Sequence, residues 1–252
     1  MNNTNPNNNF KDISLNGGIL VIGSLLWDKD KLREDWRNEY LRVENKIRTS
    51  APIRYGRISK DRNFTFSMVF SQDCNDEYKI GKAFFVPFRE NPISFDKLKT
   101  QTTELIKSER KKIEVENRFN WSWGTLAIVL NPKILLKDSD KYTEANSLLN
   151  YWEKCYGNRF NPDNYKVGQE IPILNKQGVL SFTWTDELKD YDFLIATATK
   201  PEIEEYPTSK EIADRIITNK YSEYFDKNIE FEISTFQDKE INEICQTQNA
   251  SR

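Results

Sequence analysis

The apolar positions of this chain fall into short continuous runs separated by longer stretches with a helical repeat. The run GILVIG, Gly18 to Gly23, is β-branched and unbroken until its glycine, which predicts a buried strand that turns at once. Asp28 is placed to cap a helix directly afterwards, with Leu32, Trp36 and Tyr40 at helical spacing on its inner face. APIRYGRIS, NFTFSMVFS and KIGKAFFVPF are aromatic, β-branched segments parted by polar turns, so they read as three successive strands, most simply antiparallel. From Ser94 to about Val115, Phe95, Leu98, Thr102, Leu105, Ile106 and Ile113 return at the helical period. WGTLAIVL predicts a central strand closed by Asn131-Pro132, and Tyr142 to Tyr156 a helix stopped by Gly157. EIPILN and VLSFTW read as a short hairpin pair, YDFLIATAT as a last strand, and Thr208 or Ser209 as the cap of a helix through Ile216 and Ile217. Beyond Tyr221 no period is sustained.

These elements predict an α+β fold with a mixed, mostly antiparallel sheet or small barrel and flanking helices. Neither a repeat nor a clear linker interrupts residues 17–245, which read as one domain with a weak sub-boundary near Asp138 to Asp140, where the apolar pattern lapses. Residues 1–16 open with the asparagine-rich MNNTNPNNNF and are expected to form a disordered tail.

Composition narrows the chemistry. The 252 residues carry 37 basic and 39 acidic side chains, scattered without a long run of one sign, which speaks against nucleic acid and anionic membranes as partners. GTLAIVL and FLIATA are far shorter than the roughly 20 apolar residues of a bilayer span, and the N-terminus lacks the pattern of a secretory signal. Cys74, Cys155 and Cys245 are odd in number and widely spaced, which suits a reducing cytoplasm and suggests neither a disulfide framework nor a zinc knuckle. Cys74 also lies between acids in SQDCNDEY, an environment that opposes a thiolate nucleophile. The chain has no histidine, so a Ser-His-Asp triad, a Cys-His dyad and a histidine-bound metal are all excluded. Acid-base work near neutral pH falls to a carboxylate, lysine, tyrosine or cysteine tuned by its surroundings.

In the order strand, Gly-Ser-Leu, helix, PIRYGR, strand, then GKAFFVP and a helix, the chain from about residue 19 to about residue 113 resembles the gamma-glutamylcyclotransferase-like superfamily. The family opens with Tyr-Gly-Ser-Leu at the end of its first strand, where this chain has Ile22, Gly23, Ser24 and Leu25. The resemblance implies a small mixed barrel with a cavity beside that loop. It also implies that the loop amides hold the gamma-glutamyl end of a substrate and that one glutamate acts as general acid and base. The substrate's own α-amine attacks its γ-carbonyl and releases 5-oxoproline and a free amine, with no metal or organic cofactor required. Ile22 departs from the family pattern by removing a hydroxyl from the mouth of the cavity, and residues beyond about 140 form an extension that the resemblance does not cover.

The candidate site follows. Backbone N–H groups of Gly23, Ser24 and Leu25 at a strand-to-helix corner can bind an anion, although the corner can equally be a plain turn capped by Ser24. Family spacing points near Glu104 for the acid-base, whereas helix phase favours Glu109. With Phe95 at zero and about 100° per residue, Glu109 falls near 320° among the apolar residues and Glu104 near 180°, opposite them. Arg54 and Arg57 flank Tyr55-Gly56 and are expected on one face, as partners for Glu109 or as a clamp for a ligand's carboxylate or phosphate. Trp121 and Trp123, two apart, would share a face as core or as a stacking surface, and Lys200 ends a strand where open sheets place ligands. The expectation is a small-molecule amide or anionic ligand. It is met either by a gamma-glutamyl cyclising enzyme or by a catalytically inactive small-molecule, nucleotide or protein-interaction module that uses the same cavity.

Overall fold

The computed structural model describes residues 12–109 and 123–250. Seven strands and six α-helices form among them: β1 (Gly17–Val21), α1 (Lys31–Tyr40), β2 (Ile47–Ala51), β3 (Ile53–Ser59), β4 (Thr65–Phe70), β5 (Gly81–Pro87), α2 (Phe95–Glu109), β6 (Gly124–Leu130), α3 (Tyr142–Cys155), β7 (Phe193–Thr199), α4 (Ser209–Thr218), α5 (Glu223–Glu230) and α6 (Asp238–Ala250).

The main sheet runs β2-β5-β1-β7-β6, with β3 and β4 as a separate antiparallel pair. All its neighbours are antiparallel except β1 and β7, whose parallel register sets Leu20 opposite Ala196. Every residue of β1 and β6 is buried, and this is why their sequences are continuous apolar runs rather than alternating ones. The class is therefore α+β with a mixed, mostly antiparallel sheet. The barrel option is not realised: among the described residues the main sheet is open, with β2 and β6 at its edges.

Several expectations need correction. β3 and β4 form the expected antiparallel pair, but β5 leaves them and inserts between β2 and β1. The anticipated hairpin of EIPILN and VLSFTW shrinks to a bridge between Leu174 and Leu180, and Val179 turns instead to Ile128 of β6. Residues 12–16 belong to the fold rather than to a tail. Ile13 and Leu15 are buried, Leu15 bridges Ile93, and the Ser14 amide donates to Glu144. The N-cap of α1 is Asp30, not Asp28, and Leu32 is 41% exposed, so the inner face is carried by the buried Trp36 with the half-buried Tyr40 rather than by all three apolar positions. The stretch after Tyr221 supplies α5 and α6, of which α6 packs on α4. Positions 110–115 of the anticipated helix, with Ile113, lie outside the described residues, as does Trp121.

Because β1 and β7 run side by side in the same direction, their carboxyl ends leave the sheet together. The chain beyond β1 turns back into α1, while β7 continues to Lys200, so a crevice opens between the two exits. Open sheets characteristically place ligands at such a point.

Candidate functional site

A cavity of about 1080 Å³ occupies that crevice. Its floor is Leu20, Ile22 and Thr197 from the two strand ends. Its walls are the 23–29 turn, Arg33 of α1, Glu109 at the end of α2, the β3–β4 hairpin from Arg57 to Arg62, and the aromatic side chains of Trp27, Trp123, Tyr221 and Tyr224.

The Gly23–Leu25 corner is a tight turn. Gly23 O accepts from Leu26 N, and Ser24 O accepts from both Trp27 N and Asp28 N at 3.2 and 2.8 Å. The buried guanidinium of Arg37 donates to Leu25 O at 2.8 Å and Asp28 O at 2.7 Å, which fixes the turn. The amides of Gly23, Ser24 and Leu25 come before the first donor of the turn and find no acceptor among the described residues. Gly23 is required by close approach rather than by backbone angle, since a Cβ there would lie 2.6 Å from the Tyr224 hydroxyl.

The Ser24 hydroxyl does more than cap. Its oxygen accepts from Arg33 Nη1 at 3.0 Å and from Arg62 Nη2 at 2.9 Å, so one buried serine gathers two guanidinium groups at the loop. Arg33 also donates to Asp28 Oδ2, to Ser108 O and, at 3.4 Å, to Glu109 Oε2. The chain from loop to carboxylate is therefore Ser24, Arg33, Glu109.

Glu109 has a side chain only 10% exposed. Burial raises its pKa, an effect opposed by the Arg33 guanidinium, by the Thr197 hydroxyl and by Arg62. Thr197, at the cavity floor, lies close enough to favour the charged form, although its buried Oγ1 makes no well-formed hydrogen bond among the described residues. The net result is a carboxylate that holds its proton to higher pH than an ordinary glutamate, beside an array of cations and free amides. That combination can take up and return a proton and can stabilise negative charge.

The structure brings Gly23, Ser24, Leu25, Arg57 and Glu109 to one cavity and leaves Glu104 and Arg54 outside it. Glu104 is outside the cavity and pairs with Lys107 at 2.6 Å, as its opposed helix phase requires. Arg54 is outside too: its guanidinium pairs with Asp73 at 2.9 Å and stacks 3.9 Å above the Tyr206 ring. Arg57 borders the cavity but is held by Glu202 and Lys200 O, each at 3.0 Å, and it does not reach Glu109 in an ion pair. Both arginines lean on the 200–206 connection because the irregularity between Tyr55 and Arg57 in the β3–β4 register absorbs the extra residue between them. Cys74 is buried, and burial first, rather than the neighbouring acids, pushes its thiol up to about 11. It is inert to the site.

Sequence reasoning missed Arg33, Arg62 and Thr197. Thr197 sits in an apolar strand, and no local period marks it as facing a ligand. Arg33 had a weak signal, since the turn of α1 nearest the Gly-Ser corner had to present some side chain to it. Compared with models of known protein families, with curated proteins and with solved structures, the chain matches none.

Proposed function

We propose that the cavity is the active site of a gamma-glutamylcyclotransferase-like enzyme that cleaves a gamma-glutamyl amide by intramolecular cyclisation. The observation that carries this reading is the buried Glu109 carboxylate, with its raised pKa, facing the cavity beside the unpaired amides of Gly23 to Leu25. In the reaction the substrate's α-amine nitrogen attacks the γ-carbonyl carbon, and the amine proton passes to Glu109. Glu109 then delivers that proton to the leaving nitrogen as the amide C–N bond breaks, giving 5-oxoproline and a free amine. The loop amides offer hydrogen bonds to the γ-glutamyl end as charge develops on it, and holding both reacting groups in one molecule removes the entropic cost of bringing them together. The fold type belongs to the same proposal, supported by the succession of strand, Gly-Ser-Leu turn, helix and hairpin around one crevice. So does a reducing cytoplasm as its location, on the spacing of the cysteines.

A second reading rests on Ile22, an apolar residue at the cavity floor where the resembled family has a tyrosine hydroxyl. It keeps the ligand and drops the chemistry, leaving a small-molecule binding module. Incubation with gamma-glutamyl amines and dipeptides, with chromatographic detection of 5-oxoproline, separates the two. Turnover that falls about 10²- to 10⁴-fold in Glu109→Gln, with substrate affinity retained, is the expected result. Undiminished turnover in that variant removes Glu109 from the mechanism, and binding without any 5-oxoproline selects the second reading.

A further inference from the structure

Three arginines line the cavity, and they differ in one respect that bears on its ligand. Arg33 is neutralised by Asp28 and Glu109, and Arg57 by Glu202. Arg62 has no carboxylate partner among the described residues. Its guanidinium is nevertheless fixed. Nη2 donates to Ser24 Oγ at 2.9 Å, Nη1 reaches Ser59 Oγ at 3.4 Å, and the plane lies 4.1 Å from the centroid of the buried Tyr224 ring. Both hydroxyl acceptors are neutral, and the nearest carboxylate influence, that of Glu109, acts without a direct ion pair. Of the five N–H donors of a guanidinium, only two find acceptors among the described residues. A partly buried cation held rigid by neutral groups, with donors left over at the wall of a cavity, has the form of an oxyanion receptor rather than of a structural ion pair. Lys29 and Lys60, with no carboxylate partner among the described residues, also line the cavity, where the carboxylates of Asp61 and Glu223, likewise without an ion pair among the described residues, offset their charge, so the anion preference rests on the fixed Arg62 fork itself.

We propose that Arg62 is the anion-binding residue of the cavity and takes the α-carboxylate of a gamma-glutamyl ligand. The identity of the ligand rests on the cyclisation reading, whereas the presence of an oxyanion site does not. The assignment divides the work at the loop. With the α-carboxylate on Arg62, the amides of Gly23 to Leu25 remain for the γ-carbonyl oxygen, and Glu109 is left to serve the α-amine. It also replaces Arg54 and Arg57, which the sequence pattern singles out as a clamp but which carboxylates of this chain already engage.

The test compares the wild-type protein with Arg62→Gln and Arg62→Lys, the latter keeping the charge without the planar fork. Melting temperatures without ligand establish that each variant is folded. Calorimetric titration then uses inorganic phosphate, L-γ-glutamyl-L-alanine, and 4-aminobutyryl-L-alanine, which lacks the α-carboxylate. The expected result is phosphate binding that disappears in Arg62→Gln. Affinity for L-γ-glutamyl-L-alanine should fall about 10- to 100-fold in Arg62→Gln and by less in Arg62→Lys, as suits the loss of a charge-assisted bidentate contact. The decarboxylated analogue should bind weakly to all three proteins alike. Arg62-dependent phosphate binding without any affinity for the gamma-glutamyl compound would keep the oxyanion site and overturn the cyclisation reading. Unchanged affinities in either folded variant, or no binding of either anion to the wild type, would overturn the assignment of Arg62.

Discussion

The close approach at Gly23 gives a quantitative check on how the loop is built. A Cβ at this position would stand 2.6 Å from the Tyr224 hydroxyl oxygen and 3.4 Å from its ring carbon, so only the oxygen is in conflict. Tyr224 cannot swing away freely: it is 4% exposed, its hydroxyl accepts from Met68 N at 3.3 Å, and its ring lies beneath Arg62. Gly23→Ala should therefore cost about 1–3 kcal/mol, the usual range for an added methyl in a packed site. Tyr224→Phe removes the opposing oxygen and should cost about 0.5–1.5 kcal/mol for the lost hydrogen bond to Met68. In the double variant the methyl group enters the space vacated by the hydroxyl, so its stability should be close to that of Tyr224→Phe alone. The coupling is then favourable by the whole Gly23→Ala cost, about 1–3 kcal/mol, well above the roughly 0.3–0.5 kcal/mol scatter of independent sites. Urea unfolding of the four proteins measures it, with the slope of each transition confirming that the unfolded state is unchanged. Additive losses would refute the packing argument, since they would mean that the Gly23 backbone and the Tyr224 hydroxyl do not meet.

Asp238 offers a pH test remote from the cavity. Burial lifts its carboxyl from 3.8 to about 6, against the opposing hydrogen bonds from Thr235. A carboxyl raised in the folded state contributes stability that is complete below about pH 3.8 and is lost as pH rises through about 6, so the fold favours its protonated form. Asp238→Asn cannot ionise and should gain on the wild type by up to roughly 3 kcal/mol between pH 4 and pH 7 in urea unfolding; a difference that stays flat with pH would contradict the shift. At the start of α4, Thr208 and Glu211 close a capping box, with Thr208 N donating to Glu211 Oε2 at 2.8 Å and Glu211 N donating to Thr208 Oγ1 at 3.3 Å. Thr208→Ala should cost about 1 kcal/mol, a fall of about 2–4 °C in melting temperature, and Thr208→Ser should restore most of it. Equal losses in the two variants would show that the hydroxyl does not cap.

What the sequence displays and what it conceals follow from the range of each interaction. β1, β6 and β7 are legible because burial on both faces turns a strand into an unbroken apolar run, and α4 because its cap and period agree. The placing of Glu109 inside and Glu104 outside is legible for a similar reason, since the fifteen residues of one helix share one phase. The destination of β5 is not, because hydrogen bonding to β1 and β2 rather than to β4 depends on partners distant in sequence. Arg54 illustrates the same limit within the candidate site. Its residue type and strand position suit a clamp, and only the folded chain brings Asp73 and the ring of Tyr206 against it. α5 and α6 were obscured for another reason: their buried residues, such as Tyr224, Phe225, Asn228 and Ile241, mix polar with apolar side chains and are too few to sustain a period.

The Gly-Ser corner itself changes meaning once the arginines are placed. A serine after a strand-ending glycine would ordinarily be read as a helix cap, bonded to the amides that follow it. Here its hydroxyl oxygen accepts from two guanidinium groups, one from α1 and one from the β3–β4 hairpin, and those elements share no sequence neighbourhood. Two like charges converging on one neutral oxygen repel each other, so the arrangement needs compensating negative charge. Asp28 and Glu109 supply it for Arg33 through ion pairs, whereas Arg62 forms no ion pair among the described residues and feels Glu109 only at longer range. A direct partner for Arg62 is left to solvent ions or to a ligand. Because the free amides of Gly23 to Leu25 border the same space and favour an anion as well, a ligand oxyanion is the occupant that meets both demands at once.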